Sequence, residues 1–193
     1  MSSPSLYIIG GPNGAGKTTV ALSLLPNLLG IFEYVNADAI AAGLSPLNQN
    51  SMAIQAGRLM LARIKQLAAS GTDFAFETTL AARTFVPFLR HCKSLGYSIN
   101  LIYFWLQSSD LAVERVARRV ASGGHSIPEA DIRRRYQRSC QNLLDLYLPL
   151  CDSWIVYNNS EIVFRLIAER SSDRQPIIYD SEAWHQILRG LND

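Results

Sequence analysis

Leu6-Tyr-Ile-Ile-Gly-Gly-Pro-Asn-Gly-Ala-Gly-Lys-Thr-Thr19 decides how this chain folds. Residues 6–9 are a short apolar run of β-favouring types, and residues 20–25, Val-Ala-Leu-Ser-Leu-Leu, continue as a helix. Between them, residues 11–18 fit G-x-x-x-x-G-K-[ST], a phosphate-binding loop set between a buried strand and a helix. Each residue type has a physical task. Gly11, Gly14 and Gly16 let the backbone curl until successive N–H groups converge on an anion. The helix starting near Gly16 or Lys17 aims the positive end of its dipole at the same place. Lys17 would reach the β- and γ-phosphates, and the Thr18 hydroxyl would hold Mg2+. The expected nucleotide-binding set is Gly11, Asn13, Gly14, Ala15, Gly16, Lys17, Thr18 and Thr19, with ATP or GTP as the ligand. A glycine-rich turn that binds nothing has no need of all four fixed positions in this setting.

The 193 residues suit one domain, 1–193, with a well-buried core. Hydrophobic residues at 48% and charged ones at 18% describe a globular chain rather than a disordered one. A net charge of +2 gives no general reason to expect nucleic acid or a membrane surface as partner. The charge is locally uneven, since seven of the eighteen Lys and Arg residues lie within 115–138. Cys92, Cys140 and Cys151 are widely spaced and odd in number, which argues for reduced thiols and against a disulfide framework or a metal site. Met1-Ser-Ser-Pro-Ser5 lacks the basic and apolar regions of a signal peptide, and the longest apolar run, 101–106, is too short to span a bilayer. A cytoplasmic protein is expected.

Along the chain, the first helix should end near Pro26 and a second strand should cover 31–35, ending at Asn36-Ala-Asp38. A short helix over 38–43 and a long one over 50–70 follow, the latter closed by Gly71. Strand three covers 73–79, and a helix covers 82–95 with Pro87 as a potential kink. Residues 97–106 are the most apolar strand and hence the central one. A helix over 110–121, capped by Ser108 or Ser109, breaks at Gly123-Gly124. Ser126-Ile-Pro-Glu129 has the form of a capping box and opens a helix to about 148. Strand five is 153–157, edge strands cover 162–168 and 176–179, and a last helix covers 181–189. Alternating strands and helices predict an α/β fold: a doubly wound parallel sheet of P-loop NTPase type, helices on both faces, and a helical lid at about 110–148.

Phosphoryl transfer requires positioning, a carboxylate for the acceptor's proton, and cations on the transferring group. Asp38 follows strand two at the ligand-binding edge and can act as base; the plainer alternative is that it only caps the next helix. Glu77 ends strand three at the same edge, where it could bind substrate hydroxyls or hold water on Mg2+, or stand as a solvated charge. In the lid, Glu114 with Arg118, Glu129 with Arg133 and Asp131 with Arg135 have the spacing of ordinary surface ion pairs. Arg115 and Arg119 on one helix face, and Arg134 and Arg138 on another, have no acid at that spacing and are expected to close on phosphate. His125 reads as a loop residue and Tyr103-Phe-Trp105 as core.

With these residues placed, the chain resembles the zeta-toxin family of P-loop kinases, in the short branch known as predicted ABC-type ATPases. The matching pieces are Gly10-Gly-Pro-Asn-Gly-Ala-Gly-Lys-Thr-Thr19, Asn36-Ala-Asp38 with Gly43-Leu-Ser-Pro46, Phe76-Glu-Thr-Thr79, and Arg115-Val-Ala-Arg-Arg-Val120 with Gly123-Gly-His125. Ile127-Pro128, Arg134-Arg-Tyr136 and Tyr157-Asn158-Asn159 complete the set. The resemblance implies an ATP-dependent kinase, with UDP-N-acetylglucosamine as acceptor in characterised toxins of the family. It also implies Asp38 as base, Glu77 and Thr79 near the acceptor, lid arginines on phosphate, and a neutralising antitoxin; the loop motif adds Lys17, and helix spacing singles out Arg119 and Arg134 as catalytic cations and Arg115 and Arg138 as substrate contacts. Three other readings stay open. One is a kinase for a nucleoside or antibiotic, and another is a non-transferring nucleotide-binding regulator. The third is an ABC-type ATPase, which Ser122-Gly-Gly-His125 faintly suggests, although Arg133-Arg-Arg135 follows where an apolar strand ending in Asp-Glu would be needed.

Overall fold

The computed structural model describes residues 3–189; Met1, Ser2 and residues 190–193, which the single-domain reading of 1–193 includes, lie outside the described residues. Seven strands form one sheet in the order β2-β3-β1-β4-β5-β6-β7. They are β1 (Ser5–Gly10), β2 (Tyr34–Val35), β3 (Phe74–Thr78), β4 (Ser98–Trp105), β5 (Ser153–Asn158), β6 (Arg165–Arg170) and β7 (Ile177–Ile178). The first five are parallel, while β6 and β7 are antiparallel additions at one side. The register sets Gly10 of β1 beside Thr78 of β3 and Tyr103 of β4, so the phosphate-binding loop leaves the sheet between those two strand ends. As expected from its composition, β4 is the middle strand.

Helices cover both faces because strand residues on both faces are apolar. Leu6, Ile8, Phe74, Phe76, Leu101 and Tyr103 pack against α3 (Ala53–Ala69) and α4 (Phe85–Ser94). Ile9, Ala75, Ile102 and Phe104 pack on the other face against α1 (Lys17–Leu24) and α5 (Ser109–Ala121), with Ile132 of α6 (Glu129–Asn142) completing that core. Among the described residues the remaining α-helices are α2 (Ala37–Leu44) and α7 (Ser181–Arg189). Among the described residues no helix is long and apolar enough to cross a membrane.

Several local expectations are corrected. The first helix does end near Pro26, at Leu24, but the chain winds on to Leu29 in a wider turn closed by Ile31 N–H on the Leu25 carbonyl at 2.9 Å. The second strand shrinks to two residues. Pro87 causes no kink, because it sits in the first turn of α4, where an N–H has no helical partner to lose. The Ser126 capping box does not form: Pro128, in extended backbone, precedes α6 and takes the cap position, and no side chain caps the helix.

Candidate active site

The loop owes its shape to backbone that only glycine adopts freely. Gly11 has φ 143°, and a Cβ there would stand 2.4 Å from the Phe104 carbonyl oxygen, so β4 forces the choice. Gly16 ends the loop in left-handed backbone, just before the first residue of α1. Asn159, just past the end of β5, braces the loop: its amide donates to the Ala15 carbonyl at 2.8 Å. Arg115 in turn donates to the carbonyls of Asn159 at 2.6 Å and Ser160 at 2.9 Å.

Lys17 is 6% exposed. Its ammonium donates to the Pro12 carbonyl at 2.9 Å and stands 3.8 Å from Glu77 Oε1. Burial lowers its pKa, the nearby Arg119 lowers it further, and Glu77 and Asp38 oppose the shift. Glu77, at the end of β3, is not a solvated charge, since its side chain is only 11% exposed. Its Oε2 accepts from Thr18 at 2.7 Å, Tyr34 at 2.5 Å and Asn36 at 3.0 Å. Nor does Asp38 cap α2. Asn36 does, its side-chain oxygen accepting from the N–H groups of Asp38 and Ala39.

Two clefts meet at these residues. One, of about 300 Å³, lies over the loop and is lined by Gly14, Gly16, Thr18, Thr19, Arg115 and Arg119. The other, of about 600 Å³, opens between α2, α3, the end of β3 and α6, and Thr79, Arg58, Arg134, Arg135 and Arg138 line it. Asn13, Lys17, Asp38 and Glu77 line both. Of the expected site residues, only Gly11 and Ala15 line neither; they shape the loop from beneath. The wall beyond Thr79 is strained. Leu80 is buried with φ 58°, and its carbonyl accepts from Asn142 at 2.7 Å, while Tyr147 holds the Ala82 carbonyl at 2.6 Å.

The lid arginines divide differently from the expected helix faces. Arg118 does pair with Glu114, and Arg133 pairs with Glu129 and also with Asp110. Asp131, however, pairs with Arg134 at 2.6 Å, one residue nearer than expected, and so releases Arg135 to the larger cleft. Arg119 donates to the His125 carbonyl at 3.1 Å, and its buried Nε has no partner among the described residues. The residues to which sequence reasoning gave no role in the site are Tyr34, Asn36, Arg58, Arg135 and Asn159, although Asn36 and Asn159 lie in matched motifs and Arg135 has the spacing of a surface pair. Asn36 carried a readable signal, an Asn directly before a helix. Tyr34 and Asn159 act on residues 43 and 144 positions away, which no local pattern reveals.

A family model described as an AAA domain matches residues 6–143. The chain belongs to this AAA-domain family. One relative within reach of sequence comparison is an uncharacterized protein of Haemophilus influenzae, 28% identical over 126 residues, which cover 65% of this chain and 88% of that protein. The AvrRxo1-ORF1:AvrRxo1-ORF2 structure with sulphate ions superposes with a TM-score of 0.78 at 14% identity, over 96% of this chain. This chain spans only 63% of that one. A structure from the PezAT chromosomal toxin-antitoxin system of Streptococcus pneumoniae has a TM-score of 0.63 at 14% identity, covering 100% of this chain and 87% of that one. Kinases are among the further structures with the same arrangement. At these identities the likeness concerns the fold alone, an α/β sheet of P-loop NTPase type.

Proposed function

We propose that this AAA-domain chain is an ATP-dependent phosphotransferase of zeta-toxin type, moving the γ-phosphate of ATP to a hydroxyl of a small molecule. The observation that carries the reading is the sharing of Lys17, Asp38 and Glu77 by the loop cleft and the larger cleft. The smaller cleft takes the nucleotide phosphates and the larger takes the acceptor, so the γ-phosphate and the attacking hydroxyl meet at the shared wall. Asp38 accepts the hydroxyl proton, the oxygen attacks phosphorus, and ADP leaves. Lys17 and Arg119 offset charge on the phosphates. The Thr18 hydroxyl directly, and Glu77 through a bound water, suit Mg2+, a hard cation that takes one or two protein oxygens and completes its shell with phosphate and water. When bound, it neutralises the β- and γ-phosphate oxygens.

Arg58, Arg134, Arg135 and Arg138 on the larger cleft favour an anionic acceptor, which fits UDP-N-acetylglucosamine better than a neutral nucleoside or most antibiotics. The two-protein assemblies named for AvrRxo1 and PezAT support looking for an antitoxin-like partner. The test is incubation with γ-labelled ATP and separate panels of UDP-sugars, nucleosides and antibiotics. Label in a UDP-sugar supports the reading. Label in another class replaces the acceptor, and acceptor-independent hydrolysis replaces transfer with a plain ATPase.

A further inference from the structure

The Tyr34 hydroxyl has no use in packing. The ring is half-buried on the two-residue edge strand β2, and a phenylalanine would fill the same space. Its hydroxyl points instead to Glu77, donating to Oε2 at 2.5 Å. The same oxygen takes the Thr18 hydroxyl at 2.7 Å and the Asn36 amide at 3.0 Å. Three donors saturate one carboxylate oxygen. The other, Oε1, has no hydrogen bond among the described residues and faces the Lys17 ammonium at 3.8 Å. The Asn36 amide also begins α2 through its oxygen, so one side chain ties Glu77 to the helix carrying Asp38.

We propose that Tyr34 is a positioning residue for the cation site: with Asn36 it locks Oε2 of Glu77, holding the carboxylate against Thr18 and leaving Oε1 for a cation-bound water. Thr18 donates its hydroxyl hydrogen bond to Glu77 and, beyond a long contact from the Asn36 amide at 3.4 Å, keeps a lone pair for the cation. This inference rests on the phosphotransferase reading, because the cation site is completed by nucleotide phosphates. Partners of this outer kind, when removed, weaken metal binding by roughly 10- to 100-fold.

The experiment uses the full chain with β,γ-imido-ATP and Mn2+ as the probe, free Mn2+ being read by electron paramagnetic resonance. Tyr34→Phe is expected to raise the Mn2+ dissociation constant at least about tenfold. Metal-free affinity for the analogue should stay unchanged, which also reports an intact loop. In a Glu77→Gln background, where the charged acceptor is gone, the same substitution is expected to change Mn2+ binding less than about twofold, because coupled partners are non-additive. A Tyr34→Phe protein that binds Mn2+ like wild type overturns the inference alone, as does an equal loss in the Glu77→Gln background. A wild type that takes up no Mn2+ with the analogue overturns the phosphotransferase reading, and this inference with it.

Discussion

Asn36 accepts the Asp38 backbone N–H on its side-chain oxygen at 2.8 Å, and so frees the Asp38 carboxylate from capping duty where the two clefts meet. The cap and the site are therefore one device. Asn36→Ala loses an N-cap, costing about 1 kcal/mol, and takes a donor from Glu77. Thermal unfolding should shift down by roughly 2–4 °C or more, with transfer activity falling as well. An unchanged midpoint would contradict the cap.

Lys17→Ala should abolish productive Mg-ATP binding, since it deletes the cation facing the β- and γ-phosphates. Unchanged affinity by calorimetry would refute the assignment.

The depressed pKa of Lys17 gives the binding a pH signature. Burial favours the neutral amine in the free protein, whereas bound phosphates favour the ammonium. Above the depressed value and below the usual 10.5, ATP binding must therefore take up a proton, and affinity must fall as pH rises. Calorimetry in buffers of differing ionisation enthalpy measures this directly. Proton release on binding in that range would be the wrong sign.

In the lid, Arg119→Ala should cut the rate by about 10³-fold or more, the scale of an arginine on the transferring group, with a smaller effect on ATP affinity. Arg135→Ala should chiefly weaken acceptor binding. Arg118→Ala should be mild, because an exposed pair on a helix is worth about 0.3–0.5 kcal/mol. Arg134→Ala, once Asp131 is counted, should fall between. Turnover of the four variants under identical conditions checks the order, and equal losses in all four would contradict it.

Glycine substitutions separate shape from propensity. Gly11→Ala sets a methyl 2.4 Å from a backbone oxygen at φ 143° and should cost about 1–3 kcal/mol. Gly43→Ala lies within α2 with nothing inside 4 Å and should stabilise by roughly 0.4–1 kcal/mol. Denaturant melts of both variants decide this, and like-signed shifts would be contrary evidence.

The sheet was legible because its signals are local: an apolar strand, a glycine loop and a helix in one fourteen-residue stretch, then alternating patterns along the chain. The errors arose where a side chain answers a distant partner. Glu77 could be placed at the ligand-binding edge, but the alternative of a solvated strand end falls only when β3 pairs with β1 and brings Thr18 against it. Asp131 could pair with a residue three or four positions on, and spacing alone favoured the wrong arginine. The capping box failed because Pro128 competes for the start of α6. The loop residues could be assigned from their motif, while the positioning residues around them depend on tertiary contact.

The central claim is transfer across the shared wall of the two clefts with Asp38 as base, and Asp38→Asn tests it most directly. Transfer of labelled γ-phosphate to the acceptor identified in the panel is measured beside the affinity for β,γ-imido-ATP. Nucleotide affinity should be nearly unchanged while transfer falls about 10²-fold or more, the loss expected when a general base is removed. Near-normal transfer by Asp38→Asn would contradict it.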